Sequence, residues 1–131
     1  MARIWSYDYR GAEFLFYASA LLWGVIVAFP ISQHMNTPAF KTLLSIMPEA
    51  GWGILSATLG AIGLLALWIN GSLTPSPLLR SWVLGISAVG VSCFASGFAY
   101  APGQSTAELT YGFLALALLF CSVRAARDYR P

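Results

Sequence analysis

Residues 49–69 read EAGWGILSATLGAIGLLALWI and carry one charged side chain, at the first position. An α-helix of about 20 apolar residues crosses a hydrocarbon core about 30 Å thick, so this stretch is long enough to span a membrane. In lipid, backbone N–H and C=O groups find no water, and a helix pairs them within the segment. The stretch therefore predicts a transmembrane helix.

Three further stretches share this apolar character, at residues 13–32, 81–100 and 107–123. Hydrophobic residues make up 58% of the chain and charged residues 9%, whereas a soluble domain has about 25% charged residues. The four stretches leave only short loops and tails. We therefore predict an all-α polytopic membrane protein, with residues 1–131 forming one domain of four transmembrane helices in an antiparallel bundle.

The longest loop joins the first two spans and has a helical pattern of its own. Thr37-Pro38 places an N-cap residue before a proline at the first helical position. Apolar residues then recur at helical spacing, at Phe40, Leu43, Leu44 and Met47. Residues 38–47 are thus predicted to form either a short amphipathic helix in the membrane interface or an ordered loop packed on the bundle.

Basic residues indicate the orientation, because short loops rich in Lys and Arg stay on the cytoplasmic side. With four spans, both tails and the loop before residue 81 share one face. That face holds all of the seven basic residues except Lys41, namely Arg3, Arg10, Arg80, Arg124, Arg127 and Arg130. We predict a multi-pass protein of the bacterial cytoplasmic membrane with both termini in the cytoplasm.

Small residues at intervals of four indicate helix packing, because helices in lipid associate through close backbone contact. The first span carries Ala20, Gly24 and Ala28, the second Gly53, Ala57 and Ala61 with Gly60 beside them, and the third Ala88, Ser92 and Ser96. These faces either close the bundle of one chain or join copies of it.

Three glutamates are candidate ion or proton sites, since intramembrane acids often mark ion pathways. Glu13 is expected to pair with Arg10 or to stabilise the N-terminus of its helix. The alternative is a proton-coupled role like that of the essential glutamate in small multidrug transporters. Glu49 and Glu108 open the second and fourth spans, where each stabilises exposed backbone N–H groups or contributes to an acidic ring at a pore mouth.

No enzymatic chemistry is indicated by the remaining residues. Cys93 and Cys121 lie in different spans at different depths, and free cysteine is a common packing residue. The chain has a single histidine, His34, and one imidazole does not make a metal site. Nucleic-acid binding would need a larger basic surface. We predict a non-enzyme without cofactor or bound metal, whose partners are membrane lipids, further copies of the chain or other membrane subunits.

Several local motifs resemble compact four-span phage or prophage inner-membrane proteins that are loosely grouped with holins. They are Trp23-Gly24, Pro30, Pro48-Glu49 with Trp52-Gly53, and Ser105-Thr106 leading to Tyr111-Gly112-Phe113. The resemblance implies a non-enzymatic protein that accumulates in the membrane, oligomerises and permeabilises it. Two alternatives stay open: an accessory subunit of a larger membrane complex, and a proton-coupled transporter using Glu13.

Overall fold

The computed structural model describes residues 4–29, 34–72, 76–101 and 106–127, with side chains described in these ranges except at 4–9 and 71–72. Five α-helices lie there, and no strand: α1 (Ile4–Ala28), α2 (Lys41–Ile46), α3 (Glu49–Ser72), α4 (Pro77–Ala99) and α5 (Ala107–Arg127). Four of them, all but α2, are long and apolar enough to cross a membrane. The prediction of an all-α chain with four such helices is confirmed.

The helix ends differ from the predicted span limits, because apolar runs mark depth in a membrane and not where a helix stops. α1 begins at Ile4 and not at residue 13, and it ends at Ala28 and not at residue 32. α4 begins at Pro77, four residues early, with proline in the first turn where its missing N–H costs nothing. Pro30 and Ser105 lie outside the described residues.

α1 and α3 form one tightly packed pair, in which glycines allow the two backbones to touch. A Cβ atom added to Gly24 would overlap the backbone of Ala57, and one added to Gly60 would overlap the backbone of Leu21. The Ser56 hydroxyl also donates a hydrogen bond of 2.9 Å to the carbonyl oxygen of Ala20. Residues later in α1 thus contact residues earlier in α3: Gly24 meets Ala57, and Leu21 meets Gly60.

α4 and α5 form the second pair, and two serines join them through hydrogen bonds. The Ser81 hydroxyl donates to the carbonyl oxygen of Ser122 at 2.9 Å, and the Ser122 hydroxyl donates to the carbonyl oxygen of Ser81 at 2.8 Å. Apolar side chains of both helices share one buried cluster with Tyr17 and Ala66 of the first pair: Val83, Leu84, Ala88, Leu118 and Ala125. This cluster joins the two pairs.

In the connection between α1 and α3, the described residues 34–48 include a short helix that packs on the bundle. A 3₁₀ turn, Pro38–Phe40, leads into α2. Leu43 of α2 is fully buried in a cluster that also contains Val27 and Phe98, and the Trp52 indole N–H donates to the Leu43 carbonyl oxygen at 2.9 Å. The structure therefore shows a short helix that packs on the bundle. Its location in a membrane interface stays a prediction.

Candidate functional site

A charged pair joins the two helix pairs at one end of the bundle, which we call the Arg80 end. The Arg80 guanidinium of α4 donates to both carboxylate oxygens of Glu13 in α1, with Nε–Oε2 at 2.8 Å and Nη2–Oε1 at 2.5 Å. The Glu13 side chain is 2% exposed and that of Arg80 is 15% exposed. A bidentate, nearly buried ion pair of this kind fixes the relative position of α1 and α4.

The expected pairing of Glu13 with Arg10 is wrong. Because α1 begins at Ile4, Glu13 lies more than two turns inside the helix and cannot serve its N-terminus. Arg10 is exposed and reaches the carbonyl oxygen of Asn70 at 3.4 Å. Glu13 lies on the face of α1 that points toward the second helix pair, so its partner comes from α4.

The three candidate glutamates do not form one site. Glu49 accepts hydrogen bonds from the backbone N–H groups of His34 at 2.9 Å and Met35 at 3.3 Å, so it holds these two residues against the start of α3. Glu108 lies in the first turn of α5, as the sequence predicts. Glu49 is the first residue of α3, and we call its end of the bundle the Glu49 end. The 24 residues of α3 span about 36 Å at 1.5 Å per residue, so the Glu49 end is distant from the Arg80 end.

Between the two ends, the helix pairs line an open-sided cavity of about 280 Å³. All four long helices contribute to its wall, which includes Phe16, Trp23, Ser56, Gly90, Phe94 and Tyr111. The wall residues of α1 lie in the middle of its candidate span, residues 10–28. The cavity arises because α1–α3 and α4–α5 pack closely within each pair and less closely between pairs.

Aromatic rings form a cluster beside the cavity, on the side of the Glu49 end. Phe94 of α4 contacts Trp23, Trp52 and Tyr111, with ring centroids 5.6, 5.0 and 5.8 Å apart. Tyr111 stacks on Phe98 at 5.3 Å. Each such pair adds about 0.5–1.5 kcal/mol beyond burial, so this cluster holds all four long helices together on that side.

A buried tyrosine lies between the cavity and the charged pair. Tyr17 is 2% exposed, and its hydroxyl has no hydrogen-bond partner among the described residues, although Ser87 of the cavity wall lies close to it. Its ring packs against Gly63 of α3, where a Cβ atom would overlap the ring. Gly63 therefore makes the space that Tyr17 occupies.

The predicted small-residue faces divide into an inner and an outer set. Gly24, Gly53 and Gly60 are buried at the α1–α3 contact, and Ala20, Ala28, Ala57 and Ala61 are half-buried. On α4, Ala88 is buried, whereas Ser92 and Ser96 are exposed, with exposed Cys93 beside them. The small-residue faces of α1 and α3 thus meet within one chain. On α4, the part of the stripe that contains Ser92 and Ser96 points away from the bundle.

The chain matches no family model, characterised protein or solved structure in the comparisons made. Within the described ranges, His, Cys, Asp and Glu form no group of three or more that could hold a metal ion.

Three elements of this region were missed by the sequence analysis: Arg80 as the partner of Glu13, the cavity, and the exposed thiol of Cys93 between two serines. A signal for the first was present, since the positive-inside rule places Glu13 and Arg80 at the same end of their spans. The cavity gives no such signal, because it results from how two helix pairs meet.

Proposed function

We propose that this chain is a non-catalytic integral protein of the bacterial cytoplasmic membrane that self-associates through α4. The observation that supports this most directly is the exposed face formed by Ser92, Cys93 and Ser96, the α4 face. Gly24, Gly53 and Gly60 are occupied at the α1–α3 contact, so among the predicted small-residue faces this one is open to a second copy. A holin-like permeabilisation of the membrane by accumulated oligomers is the activity we propose for the assembly.

The chemistry of the α4 face suits helix association in lipid. The Ser92 hydroxyl donates to the carbonyl oxygen of Ala88 at 2.8 Å, and the Ser96 hydroxyl donates to that of Ser92 at 2.9 Å. Both donors are thus satisfied within the helix, and neither requires water. Side chains this short allow another helix to approach closely, which is how helices gain contact energy where lipid supplies no hydrophobic drive.

The native Cys93 allows a direct test of this association. We expect mild oxidation of membranes to link two copies through Cys93, because the thiol is exposed within the proposed contact. The measurement is the dimer band on a non-reducing gel. Cys93→Ser should abolish the band, and Cys121→Ser should leave it, since Cys121 is less exposed and lies on a different helix.

A bulky residue in the α4 face provides the matched comparison. Ser96→Leu should reduce the cross-linked dimer by keeping the helices apart, whereas Ala117→Leu, at an exposed position on α5, should not. The holin-like version also requires that expression depolarises cells and that Ser96→Leu prevents it. An unchanged amount of dimer in Ser96→Leu would contradict the proposal. Co-purification of a different protein in a fixed stoichiometry would favour the accessory-subunit alternative instead.

The proposed arrangement is an antiparallel four-span bundle with both termini in the cytoplasm. It is supported by the basic residues, since Arg124 and Arg127 lie in the last turn of α5 and Arg80 lies in the first turn of α4. We expect reporters fused to either terminus to show cytoplasmic activity and a reporter inserted after Asn36 to show periplasmic activity. Opposite locations for the two termini, or release by carbonate without detergent, would refute the arrangement.

A further inference from the structure

The walls of the cavity between the helix pairs offer a polar ligand few hydrogen-bond donors. The three serine hydroxyls in the wall each donate to a backbone carbonyl oxygen: Ser19 to Leu15 at 2.7 Å, Ser56 to Ala20 at 2.9 Å and Ser87 to Val83 at 2.8 Å. The remaining wall is mainly aliphatic and aromatic. A buried water molecule needs two to four polar partners, so this wall favours an apolar occupant over water.

The cavity is also large and open enough to admit a ligand from the side. Its volume of about 280 Å³ exceeds that of engineered apolar cavities of about 150 Å³ that stay dry and bind benzene. Two of its wall residues, Ser19 and Leu55, are exposed. Both lie within candidate spans, at residues 10–28 and 49–70, so at that depth the surroundings are hydrocarbon.

We propose that this cavity binds a hydrocarbon chain of a membrane lipid, which enters between the helix pairs from the bilayer. The inference rests on the proposed membrane insertion and adds to it a specific intramolecular binding site. No charged wall residue is present to recognise a head group, and the nearby carboxylate and guanidinium of Glu13 and Arg80 already bind each other. Recognition is therefore of the chain and is insensitive to the head group.

Photolabelling can test the site in vesicles of phosphatidylglycerol and phosphatidylethanolamine that contain a phospholipid with a diazirine in its acyl chain. Labelled residues are mapped by mass spectrometry. We expect label on Ser87 and Leu114, wall residues that are not exposed on the outer surface. Label on Leu116 and Phe120, exposed on α5, reports membrane insertion independently of the cavity.

A cavity-filling variant separates specific binding from general contact with lipid. Gly90 lines the cavity, and a Cβ atom added there would lie 3.4 Å from the Leu59 side chain, so Gly90→Leu should extend into the space. The matched control is Gly112→Leu, where an added Cβ atom meets nothing within 4 Å. Both exchanges carry the same gain in helix propensity.

We expect Gly90→Leu to remove the label from Ser87 and Leu114 while Gly112→Leu retains it, with label on α5 unchanged in both. If Gly90→Leu does not fold, Ser19→Leu at the exposed edge of the cavity should give the same loss. Unlabelled wall residues alongside a labelled α5 face would overturn the lipid site and leave membrane insertion standing. Wall label that persists in the folded variants, or that depends on one head group, would also overturn it.

Discussion

Arg80→Met is expected to destabilise the protein by about 3–5 kcal/mol, the cost of removing one partner from a buried ion pair. The variant leaves the Glu13 carboxylate, 2% exposed, without the two hydrogen bonds that neutralise it. Glu13 is too short and too deeply buried to reach water. The measurement is the free energy of unfolding in mixed micelles, compared with the unaltered chain.

Two companion variants identify the cause of this loss. Glu13→Gln should cost less than Arg80→Met, because the long Arg80 side chain is 15% exposed and can extend its charge toward the membrane surface. Glu13→Leu combined with Arg80→Met should recover most of the stability, since apolar replacements of a buried pair are often neutral or stabilising. A double variant as unstable as Arg80→Met alone would show that the pair is not what stabilises this end.

The same variants bear on the proton-coupled transporter hypothesis for Glu13. A transport acid must release and regain its proton, whereas here both carboxylate oxygens accept hydrogen bonds from a guanidinium. We expect Glu13→Gln to change stability and the association of the helix pairs. Loss of a measured transport activity at unchanged stability would instead favour the transporter.

The sequence was sufficient to predict the four long helices, because apolar length is a property of each segment alone. It was less informative about which faces meet. Ala88, Ser92 and Ser96 form a stripe in sequence, but a step of four residues turns about 40° around a helix with 3.6 residues per turn. The stripe therefore begins with buried Ala88 and ends with exposed Ser96. Only the three-dimensional arrangement shows where it leaves the core.

The charged pair and the cavity depend on contacts between helix pairs, which no interval in the sequence encodes. Glu13 and Arg80 are separated by the whole first hairpin and the loop that follows it. Ser56 and Gly90 reach the same cavity from α3 and α4. Spacing within one helix predicts neighbours at three or four residues, so these long-range partners had to be found in the structure.

Gly24→Val is expected to disrupt the α1–α3 pair. A Cβ atom at this position would overlap backbone atoms of Ala57 and approach the carbonyl oxygen of Gly53 at 2.6 Å. Overpacking against mobile side chains costs about 1–3 kcal/mol, and a backbone cannot move aside as a side chain does, so we expect a loss at the upper end of that range. The measurement is again unfolding in mixed micelles.

Gly112→Val is the matched control, because an added Cβ atom there has no neighbour within 4 Å and the backbone exchange is identical. It should unfold like the unaltered chain. Loss of the α1–α3 contact would also separate the Ser56 hydroxyl from the Ala20 carbonyl oxygen and shift Tyr17, which packs against Gly63 of α3. A Gly24→Val chain as stable as Gly112→Val would mean that α1 and α3 do not approach at their glycines, and that those small residues are free to contact another copy.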